Sequence, residues 1–376
     1  MRKVIVHIDL NCFFVQCEVL TNPSLKGKPI AIGREGSRGV ISTASYEARK
    51  YNVNSAMPVS TAKRLCPNLI LVDSHYRLYE EYSRKFFDYL KERFPILEIA
   101  SIDECYIDMT NEINGHNYED FLFDLQMSIY RCTNLKCSIG CSYNKFLAKM
   151  ASDMKKPLGL TLIDKEDIPK LVWPLKISDF YGIGKKTAPK LMEANILTIG
   201  DLAKDNTNEV KEILGSSYQT YKDHANGIAS DFVDSSSFDP KSISSEETFA
   251  NNEEDYDEIV SMIKKCCKQV HQELIEYKKI VYSISIKWRT PSFVTKSRRK
   301  SLSKPTDELY IIEKTALDIF DDVYDRKPLR LIGVCLEKIS DKEVNKIKTK
   351  ELIEKLNTNN EIKLFTLDDL KDENIN

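Results

Sequence analysis

Residues 101–109 read SIDECYIDM, and they constrain this chain more than any other stretch. Ile102, Tyr106, Ile107 and Met109 make an apolar, β-favouring run, yet Asp103 and Glu104 stand side by side within it. Acidic residues are depleted in strands. Strand neighbours point to opposite faces, so an unbroken strand could not aim both carboxylates at one ligand. A tight hairpin at Ser101, Ile102 and Asp103, between the extended runs ILEIA and ECYIDM, relaxes that restriction. Any fold for this chain must provide such a hairpin and a partner for its two acids.

At 376 residues the chain exceeds one ordinary core and implies two to four compact units. A hydrophobic content of 42% and a charged content of 30% describe a globular protein. No window approaches the ~18 apolar residues of a membrane span. The opening MRKVIVHIDLNCFF carries no cleavage pattern, so a cytoplasmic location is expected. The ten cysteines contain no CxxC pair and read as reduced core thiols rather than zinc ligands or disulfides. The formal net charge of −2 does not by itself indicate a nucleic-acid partner, but residues 287–304 hold seven Lys or Arg and no acid. Such a local stripe can bind phosphate, or it can guard an edge strand.

Residues 2–10 alternate, with Val4, Val6 and Ile8 on one side and Ile5, His7 and Asp9 on the other. Helical periodicity covers 76–94 and 118–131, strands fit 136–143 and 159–163, and a short helix fits 144–154. Helices packed between paired strands form an α+β pattern like a ferredoxin-like sheet. Residues 166–230 read as helical and rich in turns, with Gly182 and Gly184 opening a helix that carries Lys185, Lys186 and Lys190. A Ser- and Asp-rich linker, 231–241, precedes a second α+β unit. There, helices are expected over 254–278 and 307–325 and strands over 280–289, 293–302 and 329–337. The alternation predicts Ile280, Tyr282, Ile284, Ile286 and Trp288 on one face, and Lys296, Arg298 and Lys300 together on one face of the next strand. After Ser340 the composition turns polar, with EIKLF at 361–365 as the apolar exception.

If the first strand neighbours the hairpin, Asp9 joins Asp103 and Glu104. Three adjacent carboxylates repel unless a cation intervenes, and hard oxygen donors select Mg²⁺ or Mn²⁺. Ions so held alongside phosphate oxygens are typical of phosphoryl transfer.

Five segments in order, HIDLNCFF (7–14), RGVISTASYEARKY (38–51), SIDECYIDM (101–109), NKFLAKMASDMKKPLGL (144–160) and YGIGKKTAPKL (181–191), resemble the successive motifs of the Y-family DNA polymerases. The resemblance runs from about residue 4 to 340 and is strongest to the DNA polymerase IV branch. It implies a right-hand polymerase: a ferredoxin-like palm (1–10 and 75–165), small fingers (11–74), a helical thumb with a helix-hairpin-helix (166–230), and, after the linker, an α+β little finger (242–340) that binds DNA. The tail, 341–376, then carries a possible sliding-clamp peptide.

The resemblance also implies roles. Asp9, Asp103 and Glu104 would be catalytic and, with the Leu10 carbonyl, would hold two Mg²⁺ ions, with Mn²⁺ able to substitute. Tyr46, Arg49, Lys156 and Phe13 would meet the nucleotide, with Lys155 an alternative to Lys156. Phe14 would be the steric gate against a ribose hydroxyl. Val40, Ser42 and Ala56 would roof the nascent base pair, and their small size implies modest fidelity. Gly182, Gly184, Lys185, Lys186, Lys287, Arg289, Lys296, Arg298, Arg299 and Lys300 would grip DNA backbone. Glu361, Ile362, Leu364 and Phe365 would engage a clamp, although Glu361 stands where that peptide usually begins with Gln. Asn11 stands where many relatives have a second Asp, and Cys12 where some place a nucleotide-binding Tyr. The implied activity is distributive, low-fidelity translesion synthesis on primer–template DNA from deoxynucleoside triphosphates, by a monomer. A nucleotide cyclase on the same palm and a catalytically silent DNA-binding scaffold are the alternatives.

Overall fold

The computed structural model describes residues 3–113, 115–236 and 238–342. The peptide 361–365 lies outside them, and with it the clamp assignment. The chain divides into one compact unit ending at Phe238 and a second starting at Asp239.

In chain order the first unit contains β1 (Ile5–Leu10), α1 (Phe13–Thr21), β2 (Ile30–Gly33), β3 (Ile41–Ala44), α2 (Tyr46–Arg49), α3 (Val59–Leu65), β4 (Ile70–Val72), α4 (Tyr76–Lys91), β5 (Leu97–Ile99) and β6 (Glu104–Asp108). It continues with α5 (Tyr118–Thr133), β7 (Cys137–Ser142), α6 (Lys145–Met154), β8 (Leu160–Leu162), α7 (Thr187–Glu193), α8 (Ile199–Lys204), α9 (Asn208–Leu214) and α10 (Tyr218–Ala225).

The main sheet has the order β5-β6-β1-β7-β8. β1 lies at its centre, antiparallel to β6 and β7, and every residue of β1 is buried. The expected alternation holds. Val4, Val6, Ile8 and Leu10 pack with Phe86 and Leu90 of α4 and Leu122 and Ile129 of α5, while Ile5 packs against Ala148 of α6. The sheet is therefore covered on both faces, with α6 on the Asp9 side. Gly140 on β7 permits this: a Cβ there would sit 2.1 Å from the carbonyl oxygen of Ala148. Only a glycine lets α6 approach closely enough to bring its side chains over Asp9.

The expected hairpin is present. β5 and β6 pair antiparallel, and the Ala100 and Ser101 amides both donate to the Glu104 carbonyl. A small three-stranded sheet, β3-β2-β4, has its own core of Ala31, Ile41, Ala44, Val53 and Ala62. The helical segment α7–α10 packs its core around Phe180, Leu191, Ile199 and Leu202, against Phe146 and Leu147 of α6.

The stretch read as a linker is anchored near its start. Val233 is buried with Ile5, Tyr106 and Ala148, and the Asp234 amide donates to Glu98. The scarcity of apolar residues in 231–241 concealed this, because one valine in the right place supplies the anchor.

The second unit contains β9 (Ser242–Glu253), α11 (Tyr256–Glu276), β10 (Lys279–Arg289), β11 (Thr295–Thr306), α12 (Leu309–Val323) and β12 (Leu329–Asp341). Its sheet has the order β11-β10-β12-β9, and both helices pack on one face. The uniform alternation predicted for β10 fails near its start. Val281 joins the core with Ile284 and Ile286, while Ile280 and Tyr282 do not. The register shifts between Val281 and Ser283, and such an irregularity reverses which face a side chain takes.

Candidate active site

The carboxylates are set by strand register. Asp9 and Glu104 are directly paired on β1 and β6, and the Leu10 amide donates to the Asp103 carbonyl. Directly opposed residues share a face, so Asp9 and Glu104 meet on the α6 side. The backbones thus converge as expected. The side chains converge less. Asp103 turns to accept a 2.7 Å hydrogen bond from the Ser101 hydroxyl. Among the described residues no three acidic, His or Cys side chains form a group that would hold an ion as they stand.

Lysines occupy the space between the acids. Lys149 Nζ lies 3.1 Å from Asp9 Oδ2, 3.0 Å from Glu104 Oε1 and 3.4 Å from Asp153 Oδ2. Lys156 Nζ lies 2.5 Å from the same Asp9 oxygen and 2.8 Å from Asp153 Oδ1. Lys155 is exposed and bonds none of them. Lys149 escaped the sequence reading altogether. The available signal was a lone cation in the apolar run FLAKMA, four residues before Asp153 and seven before Lys156, on one helix face.

The electrostatics follow from burial. Desolvation, reinforced by Glu104, raises the Asp9 pKa against the opposing charges of Lys156 and Lys149. Burial pushes Glu104 the same way, but its neighbours His7 and Asp9 and the charge of Lys149 hold it below the ordinary range. Burial also raises Asp103, opposed by the Ser101 hydrogen bond. His7 lies beneath this layer, with burial lowering its pKa. Ser152 Oγ donates to the Lys149 carbonyl and lies 2.8 Å from His7 Nδ1. His7 Nε2 faces Glu104 Oε2 at 3.5 Å.

Ser45 caps the short helix α2, accepting from the Ala48 amide, and so fixes Tyr46 and Arg49. Arg49 Nε donates to the Ala44 carbonyl, and its guanidinium lies 4.8 Å from the Tyr46 ring centroid. The Tyr46 hydroxyl is buried with no hydrogen-bond partner. Cys12 lies nearby, its thiol raised to about 11 by burial and therefore neutral.

Phe14 is half-buried and stacks on Tyr79 at 4.2 Å with the rings 10° from parallel. The Phe13 ring is 2% exposed in the core beside Tyr79, so its side chain serves packing. At the start of α1 the two neighbours point to different sides, and only Phe14 reaches the surface. Val40 and Ser42 are exposed on either side of Ile41, whose carbonyl accepts from the Ala56 amide, so the three roof candidates do cluster.

The DNA candidates are less unified. Gly182 adopts φ +99°, with Tyr221 donating to its carbonyl, but Lys185 and Lys186 precede α7 rather than ride on it. On β11, Lys296, Arg298 and Lys300 oppose Trp288, Ile286 and Ile284 and share the helix-covered face at its exposed edge. Lys287, Arg289 and Arg299 occupy the open face. Lys287 pairs with Glu246 at 2.5 Å and Arg299 with Glu337 at 3.1 Å. These acids, each lying one strand beyond the nearest neighbour, were not anticipated.

Comparison with known proteins accounts for this arrangement. The impB/mucB/samB family model matches residues 8–153, its C-terminal domain residues 240–348, and the IMS family HHH motif residues 165–196. DNA polymerase IV of Oceanobacillus iheyensis is 40% identical over 344 residues, covering 91% of this chain and 82% of its own. The chain belongs to the DNA polymerase IV family. Another polymerase IV, from Staphylococcus epidermidis, is 37% identical over 336 residues, or 89% of this chain and 94% of that one. Among solved structures, a Y-family DNA polymerase chimera of Dbh and Dpo4 superposes with a TM-score of 0.81 at 28% identity, over 90% of this chain and 99% of that one. An insertion ternary complex of Dbh superposes with a TM-score of 0.64. The fold is that of a Y-family, right-hand polymerase, and the polymerase IV relatives do not favour the cyclase or scaffold alternatives. No described helix is long and apolar enough to cross a membrane.

Proposed function

We propose that this polymerase extends primer–template DNA across damaged bases, using a palm at 1–10 and 75–165, fingers at 11–74, a thumb at 166–230 and a little finger at 242–340. The observation that carries the site assignment is the convergence of Asp9, Glu104, Lys149 and Lys156 on one spot.

The donor set fits a hard divalent cation. Asp9, Asp103, Glu104 and the Leu10 carbonyl offer only oxygen, and the buried acids already draw in two ammonium groups. These residues would hold two Mg²⁺ ions, with Mn²⁺ able to substitute. Bound there, the ions supply charge neutralisation at the attacking and leaving oxygens of the nucleotidyl transfer.

The chain's own residues position the nucleotide. Lys156 is partly exposed beside Asp9 and can turn to a triphosphate as a mobile point charge. Arg49, tethered through Nε, keeps its terminal nitrogens for a forked phosphate contact. The Tyr46 hydroxyl offers a donor to a phosphate oxygen. Phe14, stiffened by its stack on Tyr79, presents a rigid ring to the sugar. Val40, Ser42 and Ala56 leave a small-residue roof over the base pair, which supports low fidelity.

The exposed cations of 287–300 support sequence-independent backbone binding. Action as a cytoplasmic monomer, with the 361–365 peptide reaching a sliding clamp, completes the reading. Primer extension with Mg²⁺ and the four deoxynucleotides tests it. Full-length product on intact and lesion-bearing templates is expected; absence of extension with DNA binding preserved would refute it.

A further inference from the structure

Two lysines touch Asp9, and they differ in mobility. Lys156 follows the end of α6, and its side chain is 22% exposed. Lys149 rises from the middle of α6 between Ala148 and Met150, and its side chain is 8% exposed. Ser152 and Gly140 hold that helix against the sheet: the Ser152 hydroxyl donates to the Lys149 carbonyl and contacts His7, and Gly140 lets the backbones touch. Lys149 therefore has little freedom to leave.

A buried ammonium is costly unless it is paired and hydrogen-bonded. Lys149 meets that requirement, donating to both Asp9 and Glu104. The same contacts place a permanent positive charge about 3 Å from the oxygens proposed to bind divalent ions. Like charges at such separations repel substantially even in a partly solvated site.

We propose that Lys149 is a built-in counter-ion that holds Asp9 and Glu104 in place and keeps the free site's affinity for divalent cations low until a triphosphate adds its own negative charge. This rests on the proposed metal role of those carboxylates. Lys149 is thus a positioning residue. It orders the acids before substrate arrives and makes ion uptake depend on nucleotide. Lys156 has the complementary part, since it can transfer its charge to the incoming phosphates.

The test is Mn²⁺ titration of the full chain, followed by the electron paramagnetic resonance of free Mn²⁺, with and without a non-hydrolysable deoxynucleotide. Lys149→Met should bind Mn²⁺ about tenfold more tightly without nucleotide, and the tightening that nucleotide brings should shrink correspondingly. Its melting midpoint in EDTA should fall and recover with Mn²⁺. Lys149→Arg keeps the charge and should match the wild type in Mn²⁺ affinity. If Lys149→Met does not fold, Lys149→Gln removes the charge while keeping donors for both carboxylates, and carries the same expectation. Unchanged or weaker Mn²⁺ binding in the neutral variants, beside normal wild-type binding, overturns the counter-ion role alone. Wild-type Mn²⁺ binding that survives Asp103→Ala and Asp9→Ala overturns the metal assignment, and the counter-ion role with it.

Discussion

In the sheet built on β1, charge is buried: Asp9 is 5% exposed and Lys149 6%. In the sheet built on β10, charge stands at the surface: residues 291–300, with Lys296, Arg298, Arg299 and Lys300, are all exposed. Both sheets pair basic with acidic side chains at similar distances, 3.0 to 3.1 Å for Lys149 and 2.5 to 3.1 Å for Lys287 and Arg299. The energetic meaning differs. Breaking a buried pair leaves an uncompensated charge and costs several kcal/mol, about 3–5, whereas an exposed pair is worth roughly 0–1 kcal/mol. The first arrangement fixes atoms for chemistry. The second leaves cations that can exchange an acid for a phosphate at little cost, which suits a grip that must slide and release.

The largest expected break is in the buried sheet. Asp103→Ala should lower primer extension by about 10³-fold or more, in keeping with the loss of preorganised charge stabilisation, while duplex binding in a gel-shift titration stays within about twofold. Near wild-type extension would remove Asp103 from the site. Gly140→Ala attacks the same sheet through packing. A Cβ 2.1 Å from a carbonyl oxygen must displace α6, so stability in urea should fall by about 1–3 kcal/mol or more, and extension should fall with it because Lys149 and Lys156 move. A fully stable, fully active variant would show that the α6 approach is dispensable.

Phe14→Ala probes the border between rigid and open regions. Discrimination against ribonucleotides should drop by about 10- to 100-fold, the scale of one lost steric contact, as read from single-nucleotide kcat/KM values; unchanged sugar selection would assign the gate elsewhere. The smallest change is expected in the second sheet. Removing both acids, by Glu246→Gln with Glu337→Gln, frees Lys287 and Arg299 and should tighten duplex binding a few-fold, as befits pairs worth roughly 0–1 kcal/mol each. The slope of log affinity against log salt should steepen by up to about two. A large effect here, or none on the slope, would break the contrast between the two sheets.

Much was legible in the chain. The period-two pattern of 4–10 gave both faces of β1, the turn at 101–103 gave the hairpin, and the motif order gave the family. Those signals are local and periodic, so they survive without coordinates. Phe13 and Phe14 could not be told apart in the same way, because helix phase decides which ring is buried. Nor could the β10 faces be read through an irregularity that leaves no mark in the alternation.

The acids at 9, 103 and 104 and the lysines at 149 and 156 were determined by sequence as residues, and their chemistry as oxygen donors and cations came with them. Tertiary structure alone decided that Glu104 lies opposite Asp9, that Lys156 rather than Lys155 reaches it, and that Lys149 is the cation between the acids. The reason is distance along the chain. Asp9 and Lys149 are 140 residues apart, and they meet only because β1 is central in its sheet and Gly140 lets one helix come close enough to cover it.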